Sequence, residues 1–175
     1  IKIFSDPMKK NIAFCLIVYA VIFSVQSWAA LDRVFDFALL DDFGEFHQLS
    51  RYKHQDAVVL MAYDNSCEAM PSLLKSYRSI ADKFSGQDIQ FLLIDSLDLG
   101  RPALSNLDAG LPILEDDGQL VSESLGIEKA GEVLALNPER LSVYYRGSLS
   151  DSFQQSLSAL SEIQDTVKSD PAGCD

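Results

Sequence analysis

The sequence has 175 residues, of which 26 are acidic and 14 basic, and its net charge is -12 at neutral pH. Nucleic acids and anionic membrane surfaces bind proteins through clustered Lys and Arg, so we expect neither as a partner of this chain. The length is sufficient for one well-buried core and too short for two ordinary domains in addition to a targeting segment.

The N-terminal segment, residues 1–29, is predicted to consist of upstream residues and a signal peptide. Two lysines precede an apolar run over residues 12–25, and small residues follow at Ser27 and Ala29, where a signal peptidase cuts. The apolar run is shorter than the ~20 residues of a membrane-spanning helix. Cleavage near Ala30 is therefore favoured over a retained anchor.

Removal of this segment leaves a domain predicted over residues 30–168 and a flexible tail over residues 169–175. The removed part carries three Lys and one Asp, a net +2, so the charge changes from -12 to -14. We expect a periplasmic or secreted protein with no membrane insertion after processing. In such an oxidising compartment Cys67 and Cys174 are open to disulfide formation or oxidation, whereas Cys15 leaves with the signal peptide.

The first predicted elements are an N-terminal hairpin and a strand followed by a helix. Residues 35–39 and 45–49 flank a turn closed by glycine, which predicts two short antiparallel strands. Residues 57–63 are continuously apolar, as in a strand buried on both faces. Between residues 69 and 84 apolar side chains recur every three or four positions, which predicts a helix with Pro71 in its first turn.

The second half of the chain alternates short strands and helices. Residues 89–95 are predicted as a second buried strand, parallel to the first because a helix connects the two. The remaining predicted elements are a short helix or loop over 101–109, an extended segment over 111–114, a short helix over 119–125, a strand pair over 133–136 and 142–146, and a helix over 153–167. This alternation is typical of an α/β domain.

Two acidic clusters, at Asp41-Asp42 and at residues 115–118, are predicted to be solvated turns. Neither has the alternating spacing of oxygen ligands that a calcium loop needs. His47 and His54 lie near the hairpin, with no spacing that relates them to Cys67, so no metal site is predicted. The sequence contains no glycine-rich phosphate loop, and we expect no cofactor.

The order of the elements and four sequence segments resemble the thioredoxin superfamily, more narrowly its redoxin and peroxiredoxin-like branch of exported bacterial proteins. The four segments are residues 37–49, 58–67, 91–95, and 111–116 with 119–127. The resemblance implies a three-layer α/β sandwich with a central mixed sheet, flanking helices and an N-terminal β-hairpin. It also implies that Cys67 stands where the redox nucleophile of that fold usually lies.

Three positions depart from the active pattern of these proteins. Cys67-Glu68-Ala69-Met70 stands where an oxidoreductase of this fold has Cys-x-x-Cys, so the second thiol is missing. Ala130 and Gly131 stand where a cis-proline commonly faces the active cysteine. Asp64 occupies the place of the Thr of a peroxiredoxin. What the resemblance implies is thiol–disulfide oxidoreductase or weak peroxidase-like activity with one cysteine.

The residues around Cys67 act on its thiol in opposite directions. At a strand-to-helix turn its sulfur would lie near the free N–H groups and the positive dipole end of the helix, which favour the reactive thiolate. The carboxylates of Asp64 and Glu68 oppose ionisation. The other predicted active-site neighbours are Asn65, Ser66, Met70, Pro71, Ala130 and Gly131.

Two main classes of function remain open from the sequence. In the first, Cys67 forms mixed disulfides or a sulfenic acid with a protein partner, and Cys174 is a candidate resolving thiol. In the second, the fold is a non-catalytic scaffold or binding subunit of a larger envelope complex, and Cys67 is inert. A third and less favoured interpretation is copper handling, because Cys67 and Met70 offer a soft sulfur pair for Cu(I).

Overall fold

The structure is a computed structural model that describes residues 33–168, with side chains described up to residue 160. The predicted signal peptide and the predicted tail, which contains Cys174, lie outside these residues. Among the described residues, no helix is both long and apolar enough to cross a bilayer.

The elements follow the predicted order. In the described part of the chain the strands are β1 (Ala38–Leu40), β2 (Phe46–Gln48), β3 (Ala57–Tyr63), β4 (Ile89–Asp95), β5 (Ile113–Leu114), β6 (Val133–Asn137) and β7 (Ser142–Gly147). The helices are α1 (Met70–Lys83), α2 (Arg101–Leu104), α3 (Leu120–Ser124) and α4 (Asp151–Lys168). Short 3-10 helices occupy Leu49–Tyr52 and Asp117–Gln119.

One mixed sheet forms the centre of the molecule, with the strand order β5-β4-β3-β6-β7. β3 and β4 are parallel, with Ala57 opposite Ile89, which confirms the pairing predicted from the helix between them. β6 is antiparallel to β3, and β7 is antiparallel to β6. The carboxyl ends of β3 and β4 therefore meet at one edge of the sheet, where the turn that carries Cys67 begins.

The sheet separates two apolar cores. On one face Val59 and Met61 pack with α1 and α4, and on the other Val58 and Leu60 pack with α3 and the hairpin region. Successive residues of a strand point to opposite faces, so the continuous apolar run of β3 serves both cores. Helices on both faces of a mixed sheet, with an N-terminal antiparallel hairpin, confirm the predicted α/β sandwich.

An apolar stripe at helical spacing holds α1 against the sheet, as predicted. Its buried members are Met70, Leu74, Tyr77 and Ile80. Pro71 lies in the first turn, where its missing N–H costs no hydrogen bond. The fully buried Tyr77 hydroxyl donates to the carbonyl oxygens of Val59 and Leu92, each at 3.0 Å. Burial raises the pKa of Tyr77 well above its ordinary value, so this hydroxyl keeps its proton.

The predicted solvated turn at Asp41 and Asp42 is wrong, because both side chains are buried. One Asp41 carboxylate oxygen accepts hydrogen bonds from the backbone N–H groups of Phe43 and Glu45. Asp42 accepts the N–H of Ile113 at 2.9 Å, across 71 positions of the chain. The acidic pair thus closes the hairpin turn and fastens it to the edge strand β5.

The hairpin strands are also shorter than predicted, with three residues each. β2 ends at Gln48 because the next residue, Leu49, begins a 3-10 helix. The N–H of Leu49 still donates to the carbonyl of Phe37, and both side chains are buried in the second core. The segment before β1 therefore contributes buried packing in addition to isolated backbone contacts, such as the bridge between Arg33 and Ser142.

The second acidic cluster contains another buried carboxylate. Asp116 is 1% exposed, and its two oxygens accept the N–H groups of Val121 and Ser122 at 2.9 and 2.6 Å. These N–H groups open α3 and have no partner within the helix. A solvated turn is therefore wrong for Asp116, although Asp117 beside it is exposed as predicted.

The C-terminal strand and helix match their predictions. Tyr144 of β7 is exposed, whereas the ring of Tyr145 packs against the buried Phe153 of α4, at 5.2 Å between ring centroids. On the apolar face of α4, Phe153 and Leu157 are fully buried, and Leu160 is half-buried against the same core. The helix begins at Asp151, two residues earlier than predicted.

Candidate functional site

Cys67 lies in the turn that joins the central strand β3 to helix α1. Hydrogen bonds between nearby residues stabilise this turn. One carboxylate oxygen of Asp64 accepts hydrogen bonds from the backbone N–H and the hydroxyl of Ser66. The Asp64 carbonyl accepts the N–H of Cys67, and the Cys67 carbonyl accepts the N–H of Met70, the first residue of the helix. Cys67 is a half-buried free thiol that packs against the core formed with α1.

The predicted neighbours of Cys67 differ in their access to solvent. Asn65, Ser66, Glu68 and Pro71 are exposed, as expected for a turn that a partner could approach. Met70 is 2% exposed and belongs to the core below the turn. The cysteine is thus bordered by polar groups on the outside and by apolar packing on the inside.

The turn at Ala130 and Gly131 lies beside the same end of β3. The N–H of Gly131 donates to the carbonyl of Ala62 at 2.8 Å, and the N–H of Ala62 donates to the carbonyl of Glu132 at 2.9 Å. Ala130 packs against the same core as Cys67. The structure therefore brings these two predicted neighbours to the end of the sheet from which the Cys67 turn leaves.

Glycine at position 131 is favoured by the backbone conformation and by the small space around it. Its φ is +77°, a left-handed conformation that side chains disfavour, and the described residues contain no cis peptide bond. A Cβ atom here would lie 2.6 Å from Cδ1 of Leu73 on α1. Any other residue type would require the Leu73 side chain to move, so glycine lets the turn approach α1 without that rearrangement.

The described residues contain no cluster of three or more His, Cys, Asp or Glu side chains that is suited to a metal ion. His47 is engaged in the hairpin, with one ring nitrogen 2.9 Å from an Asp41 oxygen and the other bonded to the Tyr52 hydroxyl. Because Met70 is buried in the core, its sulfur is not exposed to bind a metal ion together with the Cys67 sulfur. Copper handling gains no support from this arrangement.

A buried carboxylate at the end of β4 was not singled out from the sequence. Asp95 is fully buried beside Tyr63, its partner in β3, and accepts the N–H groups of Leu97 and Leu99. Burial raises the pKa of the Asp95 carboxyl, and these two hydrogen bonds offset part of the rise. Both oxygens thus shape the turn after β4. The only sign of this carboxylate in the sequence is an acidic residue directly after four apolar residues.

A groove of about 550 Å³ begins beside the Cys67 turn and runs along α1. We call it the Arg78 groove; it is lined by Tyr63, Asn65, Met70, Pro71, Leu74, Lys75, Arg78, Ser79, Asp82 and Asp108. The sequence places Arg78 on the polar side of α1, but Arg78 is half-buried and donates to the carbonyl of Asp108 at 2.8 Å. Burial raises the pKa of Tyr63, Arg78 lowers it in part, and Asp64 adds to the rise.

Comparison with known proteins finds similarity in structure only. No family model matches the chain, and no curated protein matches its sequence. The exposed lipoprotein thioredoxin of Streptococcus pneumoniae is 21% identical, with 73% of this chain and 99% of that chain covered and a TM-score of 0.59. The thioredoxin domain of a thiol-disulfide oxidoreductase from Bacteroides vulgatus is 12% identical, with coverages of 73% and 94% and a TM-score of 0.61.

A hypothetical protein of Sinorhizobium meliloti is similar over a larger share of the chain. It is 18% identical, covers 83% of this chain and 87% of its own, and has a TM-score of 0.60. These similarities, together with the strand order and the helix that follows Cys67, agree with the family resemblance found in the sequence. The chain therefore has a thioredoxin-like fold.

Proposed function

We propose that this chain is an exported redox protein of thioredoxin-like fold in which Cys67 forms a mixed disulfide with a protein partner. The observation that carries the proposal is the position of the Cys67 thiol, half-buried in the turn between the central strand and α1. In support, two structures of similar fold are named as a thioredoxin and a thiol-disulfide oxidoreductase, and the first is also named an exposed lipoprotein.

The proposed step is a thiol–disulfide exchange. The Cys67 thiolate attacks one sulfur of a disulfide in the partner, and the S–S bond of the partner breaks. A new disulfide joins Cys67 to the partner, and the second partner sulfur leaves as a thiolate. The described residues contain no second cysteine to resolve this bond, so release requires another thiol, either Cys174 or a thiol of the partner.

A non-catalytic scaffold in an envelope complex is the alternative function. It is favoured by Glu68-Ala69-Met70 in place of a second thiol and by Gly131 in place of a cis-proline. In this alternative Cys67 is a packing residue, and partners bind without a covalent bond. The two functions predict opposite behaviour of the thiol.

The reactivity of Cys67 distinguishes them. In a Cys15→Ser, Cys174→Ser variant, where Cys67 is the remaining cysteine, we expect the thiol of the folded protein to be alkylated at least as fast as that of free glutathione. The measurement is the rate of iodoacetamide labelling by mass spectrometry across pH. Slow labelling at every pH would sink the redox proposal and leave the scaffold.

Capture of partners from the native envelope complements this measurement. Without reductant, we expect a covalent partner of the intact chain that reductant releases and that Cys67→Ser abolishes. The matched control is Ser66→Ala, which removes the exposed neighbouring hydroxyl but keeps the thiol. A complex that survives both reductant and Cys67→Ser would support the scaffold instead.

A further inference from the structure

Arg78 is a half-buried cation without an anionic partner in the part of the chain that the structure describes. One terminal nitrogen of Arg78 donates a hydrogen bond to the carbonyl of Asp108. The Nε atom is buried and has no acceptor. Among residues 33–160, no carboxylate lies within ion-pair distance of Arg78 or of Lys75, which lies one turn earlier on α1. The chain contains 26 acidic residues, so two neighbouring cations without a carboxylate partner among the described residues are unusual.

The guanidinium of Arg78 is held in one place by the loop opposite α1. Gly110 has a φ of +67°, and a Cβ atom at this position would lie 3.0 Å from both Nε and Cζ of Arg78. Glycine therefore lets the backbone lie directly against the guanidinium, while the Asp108 carbonyl holds one terminal nitrogen. The other terminal nitrogen, Nη1, has no acceptor among the described residues and is oriented in advance of any ligand.

The Arg78 groove has the size and lining of a site for a small molecule. Its volume of about 550 Å³ lies within the usual range of ligand pockets. Tyr63, Met70 and Leu74 are buried and form an apolar floor. Asp82 and Asp108 also line the groove, but both are exposed. Solvent screens these exposed carboxylates more than it screens the half-buried guanidinium.

We propose that the Arg78 groove binds the carboxylate of a small thiol compound and presents its disulfide form to Cys67. This inference rests on the proposed redox function, because Cys67 is the group that the bound disulfide meets. Arg78 and Lys75 bind the carboxylate, and the apolar floor packs against the carbon chain or ring. Asn65 and Pro71 line the end of the groove next to the Cys67 turn.

The chemistry at Cys67 is the exchange already described, with the small disulfide as the oxidant. The thiolate of Cys67 attacks one ligand sulfur, the ligand S–S bond breaks, and the other half leaves as a thiolate. The half that stays is joined to Cys67. Binding of its carboxylate in the groove holds this mixed disulfide in place.

Two aromatic disulfides test the inference, dithiobis(nitrobenzoate), which carries carboxylates, and dithiodipyridine, which carries none. In the Cys15→Ser, Cys174→Ser background we measure the second-order rate of each with Cys67. Arg78→Gln is expected to lower the ratio of the anionic to the neutral rate about tenfold, because a charge-assisted hydrogen bond is lost. Arg78→Lys should retain part of this rate ratio, and Lys75→Gln should lower the ratio less than Arg78→Gln does.

The matched control is Lys129→Gln. Lys129 is exposed and lines a separate groove beside Ala130 and Gly131, so this change removes the same charge but leaves the Arg78 groove intact. We expect the rate ratio to stay within about twofold. An equal loss in Lys129→Gln, or no loss in Arg78→Gln and Lys75→Gln, would overturn the inference. Because Lys75 is exposed, its variant remains informative if Arg78→Gln does not fold.

Direct binding separates the failure of this inference from the failure of the redox proposal. If Cys67 reacts with neither disulfide, the redox proposal fails, and the groove is tested in Cys67→Ser by nuclear magnetic resonance titration with benzoate and benzamide. Benzoate is expected to shift the amide signals of Leu74, Arg78 and Gly110 and benzamide is not. Equal shifts from the two probes, or benzoate shifts that persist in Arg78→Gln, would refute the groove as a carboxylate site.

Discussion

Gly131 illustrates how the conformation of one residue shapes a turn at the end of β3 from which the Cys67 turn leaves. Its N–H donates to Ala62, its φ is positive, and its α-hydrogen side faces Leu73 where a Cβ would collide. Proline has no N–H and a fixed φ near -65°, so it would fit none of these three conditions. This turn is therefore built around glycine, and a proline is not expected to fit at this position.

Replacing this glycine tests that interpretation. Gly131→Ala is expected to lower the free energy of unfolding by about 1–3 kcal/mol, through the strained φ and the contact with Leu73. Chemical denaturation measures the change. The matched control is Gly86→Ala, because Gly86 lies in open space without a positive φ, and we expect little change there. Equal stability of the two variants would contradict the account.

At the scale of elements, buried carboxylates hold the short segments that have little packing of their own. Asp42 fastens the hairpin to β5, Asp95 shapes the turn after β4, and Asp116 caps α3. Each accepts backbone N–H groups that would otherwise lose their partners, a loss that is costly in a buried place. The acidic composition of the chain thus serves its local structure as well as its surface.

The cap of α3 can be tested by removing the Asp116 carboxylate. Asp116→Ala leaves the N–H groups of Val121 and Ser122 unpaired, and should lower the free energy of unfolding by about 1–2 kcal/mol. Hydrogen exchange at these two amides should become faster. Asp117→Ala is the control, since Asp117 is exposed in the same cluster. Unchanged exchange in Asp116→Ala would argue against a capping role.

At the scale of the whole molecule, the excess of negative charge opposes the compact state. The net charge of -12 repels itself more strongly in the folded protein than in the expanded chain. Salt screens this repulsion, with a Debye length of about 10 Å at 0.1 M. The fold is therefore expected to be more stable at physiological ionic strength than in dilute buffer.

Thermal unfolding across salt concentration measures this effect. We expect Tm to rise from about 0.01 M to about 0.2 M sodium chloride, because the repulsion weakens. A variant with Asp117→Asn and Glu139→Gln, both at exposed positions, should show a smaller rise. A Tm that is constant or falls with salt would show that specific ion pairs outweigh the general repulsion.

The sequence by itself determined the order of the elements and the place of the candidate thiol. Two continuous apolar runs joined by an amphipathic helix predict a parallel pair buried on both faces, and β3 and β4 form that pair. The same pattern puts Cys67 directly between a strand and a helix. The order of the elements and the place of Cys67 depend on local contacts along the chain and on burial. Both are visible in the pattern of apolar residues in the sequence.

Only the tertiary structure decided which polar residues are buried and what they bind. Asp42 meets Ile113 across 71 positions, and Arg78 meets Asp108 across 30. The hydrogen bonds between the Gly131 turn and β3 place Gly131 close to Leu73. Such contacts arise from the packing of distant segments, and no periodicity in the sequence reports them. For that reason the acidic turns were predicted as solvated, and the sequence did not single out Arg78.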